Sequence, residues 1–315
     1  MGSPAFALPT LRALIASRHE VVGVVTQPDR PAGRGRRATP PAAKLVALEQ
    51  GLRVFQPDRV SAAASVEQLR ALSADVIVIA AYGQILRQNV LDLPRRGSLN
   101  VHASLLPRHR GASPVVAAIL GGDAITGVSI MEVALALDAG PVVVQVEEQI
   151  SPHDTAGSLE TRLAERGAVL LMETLDDWAE GRIEALPQDD SLATYAPIVK
   201  RQDALIDWSL TAVEIWRRVR AYNPRPVAYT TAGGTELRIW EAWPLAGDSG
   251  DPPGTLQPLE RLPMEAKSEI DATFTVQTGR GRLALIRVQR SGSKILSGPE
   301  FLRGQRGHAG LVLGV

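Results

Sequence analysis

The segment at 99–114, L-N-V-H-A-S-L-L-P-R-H-R-G-A-S-P, holds the densest set of side chains that could do chemistry. Asn100 and His102 are two residues apart in a strand predicted over Ser98–His102, so their side chains point to one face. An amide and an imidazole on one face can donate hydrogen bonds to a developing oxyanion, and the imidazole can also move a proton. The alternative is a buried Asn–His pair that bonds only to backbone in a turn.

A carboxylate beside His102 would set its protonation, and Asp138 is the best candidate. It lies in the turn L-D-A-G between strands predicted over Gly127–Val133 and Pro141–Ile150. The alternative for Asp138 is an Asx-turn with no catalytic role. Asp123, in another turn, is interpreted as structural.

The loop that begins at Ser104 follows the predicted strand directly, and open α/β sheets bind ligands at the carboxyl ends of their strands. Ser104 as a nucleophile is a rival hypothesis, but the sequence arranges no base for it. His109 stands between Arg108 and Arg110 and is expected to be exposed rather than catalytic.

Composition excludes several classes of protein. The 315 residues are about twice the length of a typical domain, which favours two domains. Lys+Arg and Asp+Glu are both 34, so a uniformly basic surface is excluded. Cysteine is absent, which excludes a disulfide scaffold, a thiol nucleophile and zinc–thiolate or iron–sulfur sites. No metal-binding motif, membrane-length apolar run or signal peptide is found, so we expect a cytoplasmic protein without a metal.

The first half of the chain alternates strand-like and helix-like segments, which predicts an α/β fold with a doubly wound parallel sheet. Glu20–Gln27 and Asp75–Tyr82 are apolar, β-branched runs typical of buried strands. Thr155–Glu180 is predicted as one long amphipathic helix. Met1–Pro4 leads into a helix with no strand before it, so either the sheet lacks its first strand or the sequence given begins after that strand.

The second half predicts a smaller β-domain. Residues 181–200 have weak periodicity and are interpreted as a linker. One helix is predicted over Thr211–Tyr222, followed by short strands around Gly233-Gly234 and Gly279-Arg280-Gly281. Short strands joined by glycine turns are typical of a small β-barrel.

Basic side chains form two runs that are nearly free of acids. One covers 30–44, and the other covers 272–315 with Glu300 as its only acid. A solvated surface is the alternative, but two such runs in a neutral protein favour an anionic partner.

The spaced motif resembles that of the 10-formyltetrahydrofolate-dependent formyltransferases, whose signature is N-x-H-x-S-L-L-P. The matching residues are Asn100, His102, Ser104, Leu105, Leu106, Pro107, Arg110, Gly111, Pro114, Thr126, Gly127, Val128, Leu137, Asp138 and Gly140. Three further segments resemble the family members that act on methionyl-tRNA: Thr26–Gly35, Ile206–Trp208 with Arg220–Pro226, and the Thr278–Gly281 hairpin.

The resemblance implies a Rossmann-like catalytic domain over 1–180, a linker over 181–200 and an OB-fold-like tRNA-binding domain over 201–315. It implies transfer of a formyl group from 10-formyltetrahydrofolate to the α-amine of methionyl initiator tRNA, for translation initiation, by a monomer that uses no metal. Rival hypotheses are an amino-sugar nucleotide formyltransferase, disfavoured by the basic runs, and a non-catalytic folate- or RNA-binding module, disfavoured by retention of Asn100, His102 and Asp138.

The resemblance also implies roles for single residues. Asn100 and a protonated His102 would hold the oxyanion, while Asp138 would raise the pKa of His102 or accept the proton of the amine. The folate site would be lined by Ser104, Leu105, Leu106 and Pro107. The tRNA would be contacted by Arg34, Arg36, Arg37, Lys200 and Arg201. The chain departs from the family pattern at two places. The family usually has a lysine close to the position of Ile198, and it commonly has threonine at the position of Ala139.

Overall fold

The computed structural model describes residues 1–32, 37–259, 261, 263–266, 273–303 and 312–314. The chain forms two compact units. Unit 1 comprises Met1–Pro114, Ile125–Gln149 and Glu160–Ala196, and unit 2 comprises Val115–Ala124, Ile150–Leu159 and Pro197–Val315. Within the described ranges, no helix has the length and apolar character needed to cross a bilayer.

Two helices match the segments predicted over 155–180 and 211–222. The bounds of the helices are α1 Ala7–Ile15, α2 Ala42–Glu49, α3 Ala63–Arg70, α4 Gln88–Leu91, α5 Pro114–Gly121, α6 Ala156–Glu180, α7 Ala212–Ala221 and α8 Gly298–Arg303.

The strands up to residue 196 are mostly short. Their bounds are β1 Val24–Val25, β2 Arg30–Ala32, β3 Arg37–Thr39, β4 Val54–Phe55, β5 Ile77–Ile79, β6 Ser98–His102, β7 Arg110–Gly111, β8 Ile125–Glu132, β9 Val142–Gln149 and β10 Tyr195–Ala196. The strands of the C-terminal half are β11 Ala228–Ala232, β12 Thr235–Leu245, β13 Leu256–Leu259, β14 Thr273–Gln277, β15 Arg282–Arg290 and β16 Leu296–Ser297.

The sheet that carries the candidate residues is mixed, in order β5-β6-β8-β9. β5 and β6 are parallel, as are β1 and β4, in agreement with the predicted parallel sheet. β8, however, runs antiparallel to both β6 and β9. The expectation of parallel strands is therefore wrong for β8, which runs opposite to β5, β6 and β9. The connection at 133–141 is shorter than the dozen or so residues that a parallel crossover needs.

Met1 and Gly2 lie between β1 and β5 and link these strands. The Gly2 amide donates to the Val25 carbonyl at 3.0 Å, and the Ala80 amide donates to the Met1 carbonyl at 2.9 Å. No longer strand is found at this position among the described residues. A cavity of about 980 Å³ opens beside Met1 and Gly2, lined by the residues 21–25 and 72–78 among others.

The segment predicted as a linker is attached to unit 1 over most of its length. Leu186 bridges Val142, with mutual backbone hydrogen bonds of 2.8 Å. β10 pairs in parallel with β7, so that Tyr195 lies opposite Arg110. These pairings bring residues 186–196 beside the loops that follow β6 and β8.

Unit 2 is built around an antiparallel sheet in order β11-β12-β15-β14-β13. Its core includes Ile215, Leu237 and Phe274, all at most 1% exposed. The segment at 312–313 bridges both ends of this sheet, because Leu313 pairs with Ala232 and Val312 pairs with Thr255. Residues 312–313 therefore connect the last residue of β11 with the residue that precedes β13.

Candidate active site

Strand β6 delivers Asn100 and His102 to one face, as the period-2 pattern predicts. Asn100 lies opposite Ile79 of β5 and Met131 of β8, and His102 lies opposite Ser129. His102 is 5% exposed, whereas Asn100 is only partly buried. In the described part of the chain, no hydrogen bond joins the side-chain amide of Asn100 to another residue. The N–H groups of this side chain are therefore available to a ligand.

The two ring nitrogens of His102 face different groups. Nε2 lies 3.1 Å from the carbonyl oxygen of His109. Because a carbonyl can only accept, Nε2 carries the hydrogen and donates it. Nδ1 faces Oδ2 of Asp138 at 3.7 Å. This distance is too long for a direct hydrogen bond but short enough for strong electrostatic coupling in a buried site.

Burial is the main influence on the pKa of His102 and lowers it below its usual value. The Asp138 carboxylate and the His109 carbonyl raise the pKa, and the charge of the His109 imidazole lowers it further. The net effect is a pKa of His102 below its usual value. Asp138 acts in the expected direction, but desolvation outweighs it.

Asp138 is held in the turn between β8 and β9. Its backbone has a φ of 46°, in the left-handed region that aspartate tolerates better than most residues. Oδ2 accepts a hydrogen bond of 2.8 Å from the Gly111 amide. The carboxylate is therefore fixed by β7 on one side while it faces His102 on the other. Asp138 and His102, predicted as partners, lie together.

The residues predicted to line the folate site form the loop after β6. The Ser104 hydroxyl donates to the Arg108 carbonyl at 2.6 Å, and the Ser104 carbonyl accepts from Ser129 Oγ at 2.6 Å. The Leu106 amide donates to the same Ser129 oxygen at 3.1 Å. Ser104 is thus engaged in shaping the loop, and no contact activates it as a nucleophile among the residues described. Leu105 and Pro107 are partly buried.

The predicted tRNA-contacting residues are distributed over both units. Arg34 and Arg36 lie outside the described residues, and Arg37 opens β3, with only its backbone described. Lys200 is exposed in unit 2. Arg201 pairs with Glu236 and lies 5.3 Å from the centre of the Tyr229 ring.

Two polar contacts of the site were not anticipated. His109 was expected to be exposed, but it is partly buried and its carbonyl holds His102. Gln188, in the predicted linker, contacts both Arg110 and the Asp138 turn. Neither contact has a sequence signature, because each joins residues that only the fold brings together.

The arrangement suits acyl transfer. A buried neutral imidazole can accept a proton at Nδ1, an adjacent carboxylate can stabilise the resulting cation, and a free amide nearby can bind an oxyanion. No group of three or more His, Cys, Asp or Glu side chains that could hold a metal occurs among the described residues.

Two family models match the chain. The formyl transferase model covers residues 1–175, and the formyl transferase C-terminal domain model covers residues 198–306.

Relatives match over nearly the whole length. A methionyl-tRNA formyltransferase of Acidithiobacillus ferrooxidans is 45% identical over 99% of this chain and 97% of its own length. The methionyl-tRNA formyltransferase of Bacillus subtilis is 43% identical over 100% of this chain and 96% of its own length.

Solved structures share the fold at low identity. An N-formyltransferase from Helicobacter canadensis, in complex with folinic acid and dTDP-3-aminofucose, has a TM-score of 0.65 at 17% identity, over 92% of this chain and 97% of its own. HypX from Aquifex aeolicus, in complex with tetrahydrofolic acid, has a TM-score of 0.58 at 20% identity, over 81% of this chain and 43% of its own.

Proposed function

The chain belongs to the formyl transferase family, and on that premise we propose that Asn100, His102 and Asp138 transfer a formyl group from 10-formyltetrahydrofolate to the α-amine of methionyl initiator tRNA. The product is N-formylmethionyl-tRNA, the substrate of translation initiation. The observation that carries the chemistry is the buried pair of His102 and Asp138, 3.7 Å apart, on the strand face that also presents Asn100.

The reaction begins when the neutral α-amine attacks the formyl carbon. A C–N bond forms, the carbonyl π electrons move to oxygen, and a tetrahedral intermediate with an oxyanion results. The side-chain amide of Asn100 has no partner among the described residues, and Asn100 lies two residues from His102 on β6. This side chain therefore donates to the oxyanion. Such donors stabilise the transition state more than the ground state, which is how they accelerate the step.

The proton of the attacking amine passes to Nδ1 of His102. Nε2–H remains bonded to the His109 carbonyl, which keeps the ring oriented. Asp138 stabilises the imidazolium that forms. When the intermediate collapses, the bond from the formyl carbon to N10 of the folate breaks and the imidazolium returns its proton to N10. The enzyme ends in its starting state, and neither a metal nor a covalent intermediate is required.

The formyl donor is proposed to bind against the loop at 104–107. Buried hydrogen bonds hold this loop in one conformation: Gln145 Nε2 donates to the Leu106 carbonyl at 2.9 Å and to Ser129 Oγ at 2.8 Å. A preformed loop places a ligand without a further entropic cost for ordering the protein. Since the hydroxyl of Ser104 is already used within the loop, folate contacts fall to the exposed parts of Leu105 and Pro107.

The tRNA is proposed to contact Arg34, Arg36 and Arg37 in unit 1 and Lys200 and Arg201 in unit 2, through phosphate contacts typical of arginine and lysine. The antiparallel sheet of unit 2, with both of its ends bridged by residues 312–313, supports an OB-fold-like barrel, a fold that often binds nucleic acids. We expect the protein to act as a monomer and in the cytoplasm, where translation supplies its substrate.

An acceptor comparison tests the function. Purified protein is incubated with 10-formyltetrahydrofolate labelled in the formyl carbon and either charged initiator tRNA or a dTDP-amino-sugar. We expect label in formyl-methionine released from the tRNA. Label only in the sugar would keep the chemistry and contradict the tRNA acceptor, and label in neither would contradict the proposed function.

A further inference from the structure

Gln188 connects the turn that carries Asp138 to the start of β7. Its Nε2 donates to the carbonyl oxygens of Asp138 at 2.9 Å and of Gly140 at 2.6 Å. Its Oε1 accepts from Arg110 at 3.0 Å through Nε and at 2.8 Å through Nη2. The partly buried side-chain amide of Gln188 is therefore fully used: both hydrogens of Nε2 bond to the Asp138 turn, and Oε1 accepts from Arg110.

Arg110 gives this connection a fixed anchor. It is 3% exposed, and besides Gln188 it pairs with Asp190 at 2.7 Å. Its neighbour Gly111 donates its amide to the Asp138 carboxylate at 2.8 Å. The Asp138 side chain and the Asp138 backbone are thus both attached to β7, the side chain directly through Gly111 and the backbone through Gln188 and Arg110.

The Asp138 turn has a conformation that requires such support. Asp138 has a φ of 46°, which costs free energy in a residue other than glycine. At Gly140 a Cβ would lie 1.8 Å from the Glu132 carbonyl oxygen, so the turn passes tightly over the end of β8. The hydrogen bonds from Gln188 to the carbonyls of Asp138 and Gly140 oppose relaxation of this turn toward an ordinary backbone conformation.

We propose that Gln188 is a positioning residue for Asp138: by holding the carbonyls of Asp138 and Gly140 and anchoring them to Arg110, it keeps the carboxylate at its distance from His102. The proposal rests on the proposed function, since it assigns Gln188 to the same catalytic step. Gln188 touches neither the reacting atoms nor His102, so its effect on catalysis passes through Asp138.

The expected signature differs from that of a residue that only stabilises the fold. The groups that face His102 are the Asp138 carboxylate, which raises the pKa of the imidazole, and His109, whose carbonyl raises it and whose charge lowers it. If Asp138 moves away, the raising influence weakens, so the pKa of His102 falls further. Substrate binding surfaces are not altered, so KM changes little while kcat falls.

Two substitutions separate the two halves of the connection. Gln188→Ala removes all of its hydrogen bonds. Gln188→Glu keeps an acceptor for Arg110 but loses the donor to the two carbonyls, and it places a negative oxygen against them. Gln84→Ala is the matched control, because Gln84 is also a partly buried amide in unit 1 that accepts from a backbone amide, that of Val60 at 2.8 Å, and donates to a carbonyl, that of Pro57 at 2.9 Å.

The measurements are kcat and KM for formyl transfer to methionyl-tRNA and the pKa of His102 from NMR titration of the full-length protein, with melting temperature as a check of folding. We expect kcat to fall about 10- to 100-fold in both Gln188 variants, as for a misplaced catalytic group, with KM nearly unchanged. The pKa of His102 is expected to fall in Gln188→Ala, and Gln84→Ala should match the wild type in both readouts.

Three results would overturn the proposal. One is full activity in Gln188→Glu, which would show that donation to the turn is not needed. Another is an unchanged pKa of His102 in a folded Gln188→Ala variant, and the third is an equal loss of kcat in Gln84→Ala. If the wild type itself transfers no formyl group to methionyl-tRNA, the proposed function fails instead, while the NMR titration still tests the position of Asp138.

Discussion

The Asp138 carboxylate lies 3.7 Å from Nδ1 of His102 and is not hydrogen-bonded to it directly. The other ring nitrogen donates to the His109 carbonyl, so the protonation site that remains is the one that faces Asp138. A proton bound at Nδ1 would be stabilised by the Asp138 carboxylate, whereas burial lowers the pKa of the imidazole. In the proposed mechanism, His102 therefore acts as a base before attack and as an acid after it.

Asp138→Asn should nearly abolish formyl transfer and leave folate binding largely intact. The amide preserves the size of the side chain but removes the charge that stabilises the imidazolium, and acid–base catalysis of this kind contributes about 100- to 10,000-fold. The measurement is kcat together with the dissociation constant of a folate analogue. Asp123→Asn, in a turn of unit 2, is the control. Normal turnover of Asp138→Asn would contradict the role.

Asn100→Ala should slow the chemical step about 100- to 1,000-fold, which corresponds to about 2.7–4 kcal/mol for loss of one oxyanion donor. The melting temperature should change little, because the side-chain amide of Asn100 forms no hydrogen bond with another residue in the described part of the chain. Single-turnover rates measure the effect without interference from product release. A rate within about twofold of the wild type would remove Asn100 from the oxyanion site.

Gly111→Ala should destabilise the protein and lower activity together. Gly111 has a φ of 120°, and an added Cβ would lie 2.6 Å from the Ala196 carbonyl oxygen. Relief of this clash would move β7 away from β10, and the hydrogen bond from the Gly111 amide to the Asp138 carboxylate would be lost. Gly51→Ala is the control, because Gly51 has a φ of 68° with open space around it. Equal melting temperatures for the two variants would show that β7 can adjust without loss.

Stability should depend on pH through His102. Since burial lowers the folded-state pKa of His102, the unfolded chain binds the proton more readily, and stability decreases as pH falls through the unfolded value of about 6.5. His102→Asn should remove this contribution. Urea unfolding at several pH values compares the two proteins. The free-energy difference between variant and wild type should shift in favour of the variant below about pH 6.5, and a pH-independent difference would contradict the assignment.

Binding of tRNA should weaken steeply with salt. The proposed arginine and lysine contacts displace counterions from phosphates, so the affinity should fall by at least about tenfold between about 50 mM and about 200 mM salt. Replacement of Arg37 and Lys200 by alanine should reduce this slope without a change in folate binding. A salt-independent KM for tRNA would contradict the electrostatic part of the account.

Local patterns predicted the elements that carry the main residues. β6 spans the residues Ser98–His102 expected from alternation, and α7 begins after Thr211, whose hydroxyl accepts from the Glu214 amide in a capping box. Such features depend on neighbours in sequence. The reversed direction of β8 could not be deduced in the same way, because a strand's side-chain period is the same in parallel and antiparallel sheets.

Contacts between residues that are far apart in the chain could not be predicted from the sequence. The sequence suggested Asp138 as the partner of His102, but the distance between them depends on how the fold places the two loops, and the lowered pKa of the imidazole depends on how deeply the ring is buried. Gln188 reaches a carbonyl 50 positions away, and no spacing rule connects it to Asp138. A polar residue in a segment of weak periodicity gives no sign of such a role.

The most direct test of the account is the single-turnover rate of formyl transfer to methionyl-tRNA in His102→Ala. The control is His19→Ala, because His19 forms another His–Asp pair, with Asp176 at 3.0 Å, but at the surface. We expect a rate at least about 100-fold lower for His102→Ala and a wild-type rate for His19→Ala. A wild-type rate in a folded His102→Ala variant would contradict the central role of this imidazole.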